Sequence, residues 1–266
     1  MKKVLTIAGS DCSGGAGIQA DLKTFSAHGV YGMSVITAIT AQNTQGVFAV
    51  QNIDPDIIGK QLDAVFEDIE VDAVKVGMVS VPETIEIIAA KLRQYNAPSV
   101  VIDPVMVSKS GFRLLQPEAQ AKLISQLLPL ATVVTPNIPE AEDITGQTIV
   151  TLEDMQNAAQ AIYDMGAKNV LVKGGHREAD ATDILFDGTD FYYFPAPRIA
   201  STNTHGTGCS LSSAIASSLG KGSDVFDAVR QGKDFITVAI EQAYPVGKGV
   251  GPIHHFYGLY KQAGIL

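Results

Sequence analysis

The chain has 266 residues, of which 46 % are hydrophobic and 18 % are charged, and its formal net charge at pH 7 is −9. This composition is that of a globular protein and excludes a disordered chain, while the acidity disfavours a protein that follows nucleic-acid phosphates with a basic face. Two cysteines are too few for a disulfide framework and indicate a reducing compartment.

The beginning of the chain is not expected to target it elsewhere. Its first apolar run, residues 4–8, is short and soon reaches Asp11, so a signal peptide is not predicted. No stretch approaches the roughly 18 apolar residues that a membrane-spanning helix needs. We therefore predict a cytoplasmic protein.

Short apolar runs alternate with segments of helical periodicity along the chain. Predicted strands are residues 4–8, 34–39, 73–78, 100–102, 132–135 and 170–173, and predicted helices are residues 17–28, 55–69, 82–95, 117–128 and 152–165. Several strands are apolar at every position, which is typical of strands covered on both faces. The pattern predicts one α/β domain over residues 1–266, with a doubly wound, mostly parallel sheet.

Residues 183–199 depart from this alternation. Two apolar runs, 184–186 and 191–194, flank Asp187-Gly188, a pair typical of hairpin turns. We predict an antiparallel hairpin at the edge of the sheet.

The first predicted strand runs into a glycine-rich segment and then a helix. This segment contains Gly15-x-Gly17-x-x-Ala20, a degenerate form of the dinucleotide-binding fingerprint, so a nicotinamide or flavin enzyme is one alternative. That fingerprint expects an acid at the end of the next strand, and residues 35–42 contain none. A Gly-rich turn without function is the other alternative.

Two further strands end at acidic residues. Asp103 follows a buried strand, and Glu140 follows the next one on a helix start that also holds Asn137. Ligands of doubly wound sheets bind at the carboxyl ends of strands, and Mg²⁺ commonly uses one or two carboxylates with phosphate and water. Capping of a loop by Asp103, and of a helix by Asn137 and Glu140, remain open as alternatives.

A second glycine-rich segment lies at residues 203–216, where Gly206 and Gly208 precede a helix rich in Ala and Ser. The free N–H groups of such a helix start bind anions, and a transferring phosphoryl group is a natural guest. Cys209 falls in the first turn, where thiol pKa values are lowered, although a buried structural cysteine is the alternative. Lys173 ends another strand and is a candidate to face nucleotide phosphates.

No P-loop is predicted. The Gly-Lys pairs at residues 220–221, 232–233 and 247–248 lack both the upstream glycine and the following Ser or Thr of a Walker motif. If the chain is a kinase, it belongs to another class.

The chain resembles the hydroxymethylpyrimidine/phosphomethylpyrimidine kinases of the ribokinase-like superfamily. The resemblance is carried by Gly9-Ser10-Asp11 with residues 13–25, and then in order by residues 40–44, 76–78, 103–106, 135–142, 173–176, 204–209 and 249–255. It implies a three-layer α/β/α fold and a place in thiamine biosynthesis. It also implies that ATP phosphorylates 4-amino-5-hydroxymethyl-2-methylpyrimidine (HMP) to its monophosphate and then to its diphosphate.

The resemblance also implies roles for individual residues. Gln42 would bind the ring nitrogen and amino group of the pyrimidine, since an amide both donates and accepts. The remainder of the substrate pocket would consist of Gly9, Ala16, Asp21, Thr40, Met78 and Val105. Mg²⁺ would lie near Asp103 and Glu140, ATP would contact Asn137, Glu140, Lys173, Thr204 and Thr207, and the catalytic anion hole would be formed by Gly206, Thr207, Gly208 and Cys209.

Two cysteines qualify this resemblance. Ribokinase relatives usually carry Asp, as general base, at the position of Cys209, whereas the pyrimidine kinases carry Cys. We expect Cys209 to orient or deprotonate the alcohol, while the anion hole and Mg²⁺ supply most of the rate. Cys12 stands where the family commonly has Pro or Ser, in a turn expected to border the same pocket.

Other functions remain open at this point. A pyridoxal or pyridoxine kinase of the same superfamily is the nearest alternative, and Gln42 and His176 favour the pyrimidine. A pyrimidine-binding protein without activity is a second alternative, which the glycine turn, Asp103, Glu140 and Lys173 disfavour. A homodimer is expected from the family and from the aromatic residues 191–194.

Overall fold

The computed structural model describes residues 1–107, 111, 114–177 and 180–266. Its strands are β1 (Lys3–Asp11), β2 (Tyr31–Asn43), β3 (Gly46–Asn52), β4 (Ala73–Val76), β5 (Val100–Ile102), β6 (Val133–Val134), β7 (Val170–Val172), β8 (Asp183–Phe186) and β9 (Phe191–Phe194). Its helices are α1 (Gly17–Ala27), α2 (Pro55–Phe66), α3 (Pro82–Gln94), α4 (Pro117–Lys122), α5 (Ile138–Thr145), α6 (Leu152–Asp164), α7 (Thr207–Gly220), α8 (Val225–Glu241) and α9 (Tyr257–Gln262).

The described strands form a nine-stranded sheet in the order β3-β2-β1-β4-β5-β6-β7-β8-β9. Six adjacent strands of this order pair in parallel: β2, β1, β4, β5, β6 and β7. Strand β3 and the β8–β9 hairpin are antiparallel to their neighbours. Strand β2 lies on one side of β1 in the sheet and β4 lies on its other side, so the direction in which the chain adds strands reverses at β1. A crevice at the carboxyl ends of β1 and β4 follows from this switch.

Helices cover both faces of the sheet, as the fully apolar strands predict. One core layer contains Leu5 and Val76 from the strands together with Ile58, Ile88 and Met155 from α2, α3 and α6. The opposite layer is formed by the alternate strand residues with α1, α7 and α8. Successive side chains of a strand point to opposite faces, so each central strand contributes to both layers. The predicted α/β/α architecture is confirmed.

Helix α7 packs closely against the sheet because its side chains are small. All residues from Ser210 to Gly220 are buried, and a Cβ on Gly220 would lie 3.3 Å from both Ala73 Cβ and Val4 Cγ2. This close packing fixes the start of α7, and therefore its N–H groups, relative to the strand ends.

Several elements differ from the sequence prediction. The hairpin at β8–β9 is confirmed, but the opposite edge strand β3, none of whose residues is buried, was not predicted. Helices α8 and α9 were also absent from the prediction. The predicted helix 117–128 is only partly α-helical, since α4 continues into a π-helical turn at Leu123–Leu127. Among the described helices, none has the length and apolar character to cross a bilayer.

Candidate active site

A cavity of about 890 Å³ opens at the carboxyl ends of the parallel strands. Most residues that the sequence assigned to a site line it: Gly9, Ala16, Thr40, Gln42, Met78, Asp103, Val105, Asn137, Glu140, Lys173, Thr204, Gly206, Thr207, Gly208 and Cys209. The structure thus brings together segments that are far apart in sequence. The size and position are those of a small-molecule site.

Asp21 is the exception among the predicted pocket residues. It is fully buried behind the wall of the cavity and does not line it. Its carboxylate accepts hydrogen bonds from Lys75 Nζ at 2.9 and 3.0 Å, and from the hydroxyls of Thr6 and Ser213 at 2.6 and 2.7 Å. The prediction that Asp21 lines the substrate pocket was therefore wrong. Its buried carboxylate instead ties α1 and α7 to β1 and β4.

The two glycine-rich segments pack directly against each other. We call residues 13–17 the glycine loop and residues 206–209 the glycine turn. Gly206 has φ +79°, and a Cβ there would lie 1.8 Å from the Gly15 carbonyl oxygen. A Cβ on Gly15 would lie 2.3 Å from the His205 ring. Only glycine permits both the left-handed backbone and this approach, so the glycines set the relative position of the two segments.

Asp11 holds the glycine loop in shape. Its Oδ1 accepts from the backbone N–H and the hydroxyl of Ser13 at 2.8 and 2.7 Å. Its Oδ2 accepts from the N–H groups of Gly15 and Ala16 at 3.0 and 2.8 Å, and from His205 Nε2 at 2.9 Å. Although burial opposes ionisation, donors that include His205, Ser13 and Gln42 hold the pKa of Asp11 well below its usual range.

The glycine turn, a lysine and a carboxylate meet at the centre of the cavity. Lys173 Nζ donates to Asp103 Oδ1 at 2.8 Å and lies 4.0 Å from Glu140 Oε2. A Cβ on Gly208 would lie 3.3 Å from Lys173 Nζ and 3.4 Å from Asp103 Oδ2. The first N–H groups of a helix have no intrahelical acceptor, so α7 presents donors beside this ammonium. The arrangement can stabilise a transferring phosphoryl group.

Glu140 has a structural contact as well as a place in the cavity. Its Oε2 accepts from the Asn137 N–H at 2.8 Å, and Asn137 Oδ1 accepts from the Glu140 N–H at 2.9 Å. This reciprocal capping box begins α5. Burial, with the nearby Asp103 charge, raises the pKa of Glu140 to about 7, while Lys173 opposes the rise. The helix-cap alternative is therefore correct for Asn137 and Glu140, and both still line the cavity.

The environment of Cys209 differs from the sequence prediction. Burial, reinforced by the charges of Asp21 and Asp103, raises the pKa of the thiol to about 11, although Lys75 opposes the rise. The backbone N–H of Gly17 also opposes the rise. The helix start alone predicted a lowered pKa; that prediction was wrong because two buried carboxylates and loss of solvent outweigh it. At neutral pH the group is a thiol.

Cys12 is exposed and lies outside the lining of the cavity. The expectation that both cysteines border the pocket holds for Cys209 alone. The Cys12 thiol instead donates to the Gln42 carbonyl at 3.1 Å and accepts from the Gln42 N–H at 3.4 Å. It therefore supports the backbone of Gln42, where the β2–β3 pairing is irregular.

Sequence reasoning missed one end of the cavity. Asp183 Oδ1 accepts from the Gly174 N–H at 2.8 Å, and its Oδ2 accepts from Lys233 Nζ at 2.7 Å. Leu211, Ile236 and several other apolar side chains line the same end. Asp183 begins β8 and Lys233 lies within α8, and neither belongs to a recognisable sequence motif. Only the tertiary structure therefore shows that they meet.

Comparisons with known proteins agree on one family. The sequence profile described as "Phosphomethylpyrimidine kinase" matches residues 11–254. The chain is 55 % identical over 261 residues to the hydroxymethylpyrimidine/phosphomethylpyrimidine kinase of Rhizobium meliloti, covering 97 % of this chain and 98 % of that protein. It is 54 % identical to the thiamine biosynthesis bifunctional protein ThiED of Geobacter sulfurreducens, covering 95 % of this chain but only 52 % of that protein.

The fold is also shared with a kinase of another substrate. The ADP complex of Bacillus subtilis pyridoxal kinase superposes with a TM-score of 0.89 at 42 % identity, covering 96 % of this chain and 98 % of that one. Its identity is lower than the 55 % of the Rhizobium pyrimidine kinase.

Proposed function

The chain belongs to the hydroxymethylpyrimidine/phosphomethylpyrimidine kinase family, and from that premise we propose how its own residues perform the reaction. It is an ATP-dependent kinase of thiamine biosynthesis that phosphorylates HMP and then HMP phosphate. In the first step the HMP alcohol oxygen bonds to the γ-phosphorus of ATP, and the bond from that phosphorus to the β,γ-bridging oxygen breaks, leaving ADP. In the second step a phosphate oxygen of HMP phosphate is the acceptor.

The observation that carries the proposal is the meeting of the glycine turn with Lys173 and Asp103. Lys173 Nζ lies 2.8 Å from Asp103 Oδ1, and a Cβ on Gly208 would lie 3.3 Å from Lys173 Nζ and 3.4 Å from Asp103 Oδ2. Charge spread over the equatorial oxygens of the phosphoryl group would be stabilised by the N–H groups of the turn and by the ammonium. A loose transition state depends mainly on such positioning, so it needs no strong base.

We assign Cys209 to orienting the alcohol. With a pKa of about 11 the sulfur holds its proton at neutral pH, so it does not begin the reaction as a thiolate. The alcohol proton is then lost after bond formation, to a phosphate oxygen or to solvent. Of the two roles expected from the sequence, the environment of the sulfur supports orientation.

The pyrimidine and the nucleotide would occupy opposite ends of the cavity. Gln42, Gly9 and Met78 line the end near β1 and β2, where an amide can bind the amino group and ring nitrogen of HMP. The end near Asp183 and Lys233 leaves room for ATP, whose phosphates would reach Lys173 and Thr207.

Asp103 and Glu140 would hold Mg²⁺. Both are buried carboxylates, Asp103 directly after β5 and Glu140 in the first turn of α5, and Lys173 Nζ lies within 4.0 Å of an oxygen of each. Among the described residues no group of three or more His, Cys, Asp or Glu forms a full cage. Two carboxylates fit the way Mg²⁺ binds beside phosphates, with water completing its shell. When bound, the ion neutralises charge on the phosphates.

We also propose that the protein forms a homodimer and is located in the cytoplasm. The aromatic hairpin, one reason to expect a dimer, is used largely inside the chain: Phe191 stacks on Phe186, and Phe194 packs on Phe226. Analytical ultracentrifugation of the purified chain tests the dimer directly.

Steady-state kinetics on two alcohols test the substrate. We expect ADP formation with HMP, and a higher kcat/KM for HMP than for pyridoxine. A higher value for pyridoxine would instead support the pyridoxal kinase alternative, and absence of ADP formation with either alcohol would support a binding protein.

A further inference from the structure

The wall of the cavity that carries Gln42 extends past the region where the sheet supports it. The pairing of β2 with β1 ends at Thr40, and beyond that point β2 pairs with the edge strand β3. Strand β3 is itself exposed or half-buried throughout. A two-stranded ribbon has little stability of its own, so Gln42 needs further contacts to keep a fixed place relative to the glycine turn.

A glycine-rich segment near the end of the chain supplies such contacts. We call residues 246–252 the strap. The Val250 N–H donates to the Thr44 carbonyl oxygen at 2.8 Å, and the Gly249 N–H donates to Thr44 Oγ1 at 3.1 Å. Because Thr44 lies in the turn between β2 and β3, the strap holds the tip of the ribbon.

The other end of the strap is attached to the segment that precedes the glycine turn. The Gly251 carbonyl oxygen accepts from the His205 N–H at 3.0 Å, and Pro252 pairs with His205 in a parallel bridge. His205 is followed directly by Gly206, the first residue of the glycine turn. The strap therefore links the turn at Thr44 to the start of α7.

Both attachments bring the backbone of the strap very close to its partners. A Cβ on Gly249 would lie 2.0 Å from the Thr44 carbonyl oxygen, and a Cβ on Gly251 would lie 2.3 Å from Asn203 Oδ1. These distances are far below van der Waals contact, so the approach depends on glycine at both positions. Val250, between them, lines the cavity.

We propose that Thr44 is a positioning residue for phosphoryl transfer: attached to the strap, it holds Gln42, and with it the pyrimidine, at a fixed distance from the glycine turn. This inference rests on the proposed contact between Gln42 and HMP. Cys12 holds the backbone of Gln42 on the side of the glycine loop, and Thr44 supplies the link to the glycine turn. A misplacement of about 1 Å can cost about 100-fold in rate, so such a link affects turnover although Thr44 lies outside the lining of the cavity.

The first experiment removes the side-chain part of this attachment. Thr44→Val keeps the shape of the side chain but cannot accept the Gly249 N–H, whereas Thr44→Ser keeps the hydroxyl. We expect kcat/KM for HMP to fall about fivefold or more with valine and to stay within about twofold of the wild type with serine. KM for ATP should be unchanged, and Tm should change by less than about 4 °C, because one exposed hydrogen bond is lost.

Gly249→Ala tests the same attachment from the side of the strap. The added Cβ would displace the strap from the Thr44 carbonyl oxygen, so both hydrogen bonds would be lost and kcat/KM for HMP should fall further than in Thr44→Val. Asn43→Ala is the matched control, since Asn43 Oδ1 accepts from the Gln45 N–H at 2.8 Å within the same turn rather than from the strap. Its kcat/KM should stay within about twofold of the wild type.

A double-mutant cycle shows whether Thr44 acts through Gln42. Gln42→Met alone should lower kcat/KM for HMP. Adding Thr44→Val should then lower it by less than about twofold, because the contact that Thr44 positions has already been removed.

Three results would overturn the proposal. The first is a Thr44→Val variant within about twofold of the wild type; if that variant does not fold, Gly249→Ala with wild-type kcat/KM decides equally against it. The second is an equal loss in Asn43→Ala, which would assign the effect to the turn as a whole. The third is the full loss from Thr44→Val in the Gln42→Met background, because Thr44 would then act on another part of the site. A wild type that forms no ADP with HMP contradicts the proposed function instead.

Discussion

Replacement of Cys209 by alanine separates two chemical roles that differ greatly in magnitude. The thiol, with a pKa raised to about 11, is ionised in about one molecule in a thousand at pH 8. If it orients the alcohol through one neutral hydrogen bond, its removal costs about 0.5–1.5 kcal/mol. At about 1.4 kcal/mol for each factor of ten, kcat should fall about 2- to 12-fold.

A general base would give a different result. Such a group contributes about 100- to 10,000-fold, and its ionisation would shape the pH profile. The assay is therefore kcat for HMP between pH 6 and 9.5, for the wild type, Cys209→Ala and Cys209→Ser. We expect serine to restore most of the loss, and the three profiles to have the same shape. A loss beyond about 100-fold, with a rising limb that disappears in both variants, would refute an orienting role. A loss smaller than about twofold would remove Cys209 from the chemistry.

Three further predictions follow from the packing around the site. Gly206→Ala should lower kcat by at least about 100-fold, because the added Cβ would lie 1.8 Å from the Gly15 carbonyl oxygen. Gly146→Ala is the control: Gly146 also has a positive φ, +71°, but faces open space, so this variant should lose about 1–2 kcal/mol of stability and no activity. Equal activity in the two variants would contradict the argument. Lys75→Met leaves the buried Asp21 carboxylate unpaired and should lower the free energy of unfolding, measured in urea, by about 3–5 kcal/mol. Adding Asp21→Asn should recover part of this loss, and additive losses from the two substitutions would be inconsistent with an ion pair. Burial, with the charges of Lys23 and His254, lowers the pKa of His255 to about 4. Because the unfolded chain binds this proton at about pH 6.5, the contribution of His255 to the free energy of unfolding is fully present above pH 6.5 and falls by up to about 3 kcal/mol as the pH drops to 4. His255→Gln should flatten this dependence of Tm on pH, and an unchanged slope would show that other groups cause it.

The architecture was predictable because its main signal is repeated. Six apolar runs, of which the first five are each followed by a segment of helical periodicity, specify a parallel sheet covered on both faces, and the hairpin has its own turn residues at 187 and 188. Strand β3 was missed although residues 47–50 are apolar, and as an edge strand it buries little: Phe48 is 69 % exposed. Helix α8 is amphipathic, but no catalytic motif drew attention to it.

The site was predictable where backbone geometry determines the residue. Gly206 has a steric reason to be glycine, and a strand-end acid such as Asp103 follows from the topology of the sheet. Positions that depend on side-chain environment were not predictable. The pKa of Cys209 depends on Asp21, Asp103 and Lys75, which lie far from it in sequence, and the burial of Asp21 could not be read from its place in a motif.

The role of Asp11 in holding the glycine loop belongs to the same category. In the sequence, Asp11 is one polar residue among several in a loop, without a recognisable role. Only the position of His205, 194 residues further along the chain, shows that its carboxylate joins both glycine-rich segments to the substrate end of the cavity.

The most direct test of the central claim, that one cavity performs both phosphorylations, is a phosphorus NMR time course of HMP with Mg-ATP for the wild type and Lys173→Met. In the wild type we predict that HMP monophosphate appears first and is converted to the diphosphate, with one ADP formed in each step. Because Lys173 Nζ lies beside Asp103 and the glycine turn, its loss should slow both steps by a similar factor. A variant that loses one step and keeps the other would contradict a single shared site.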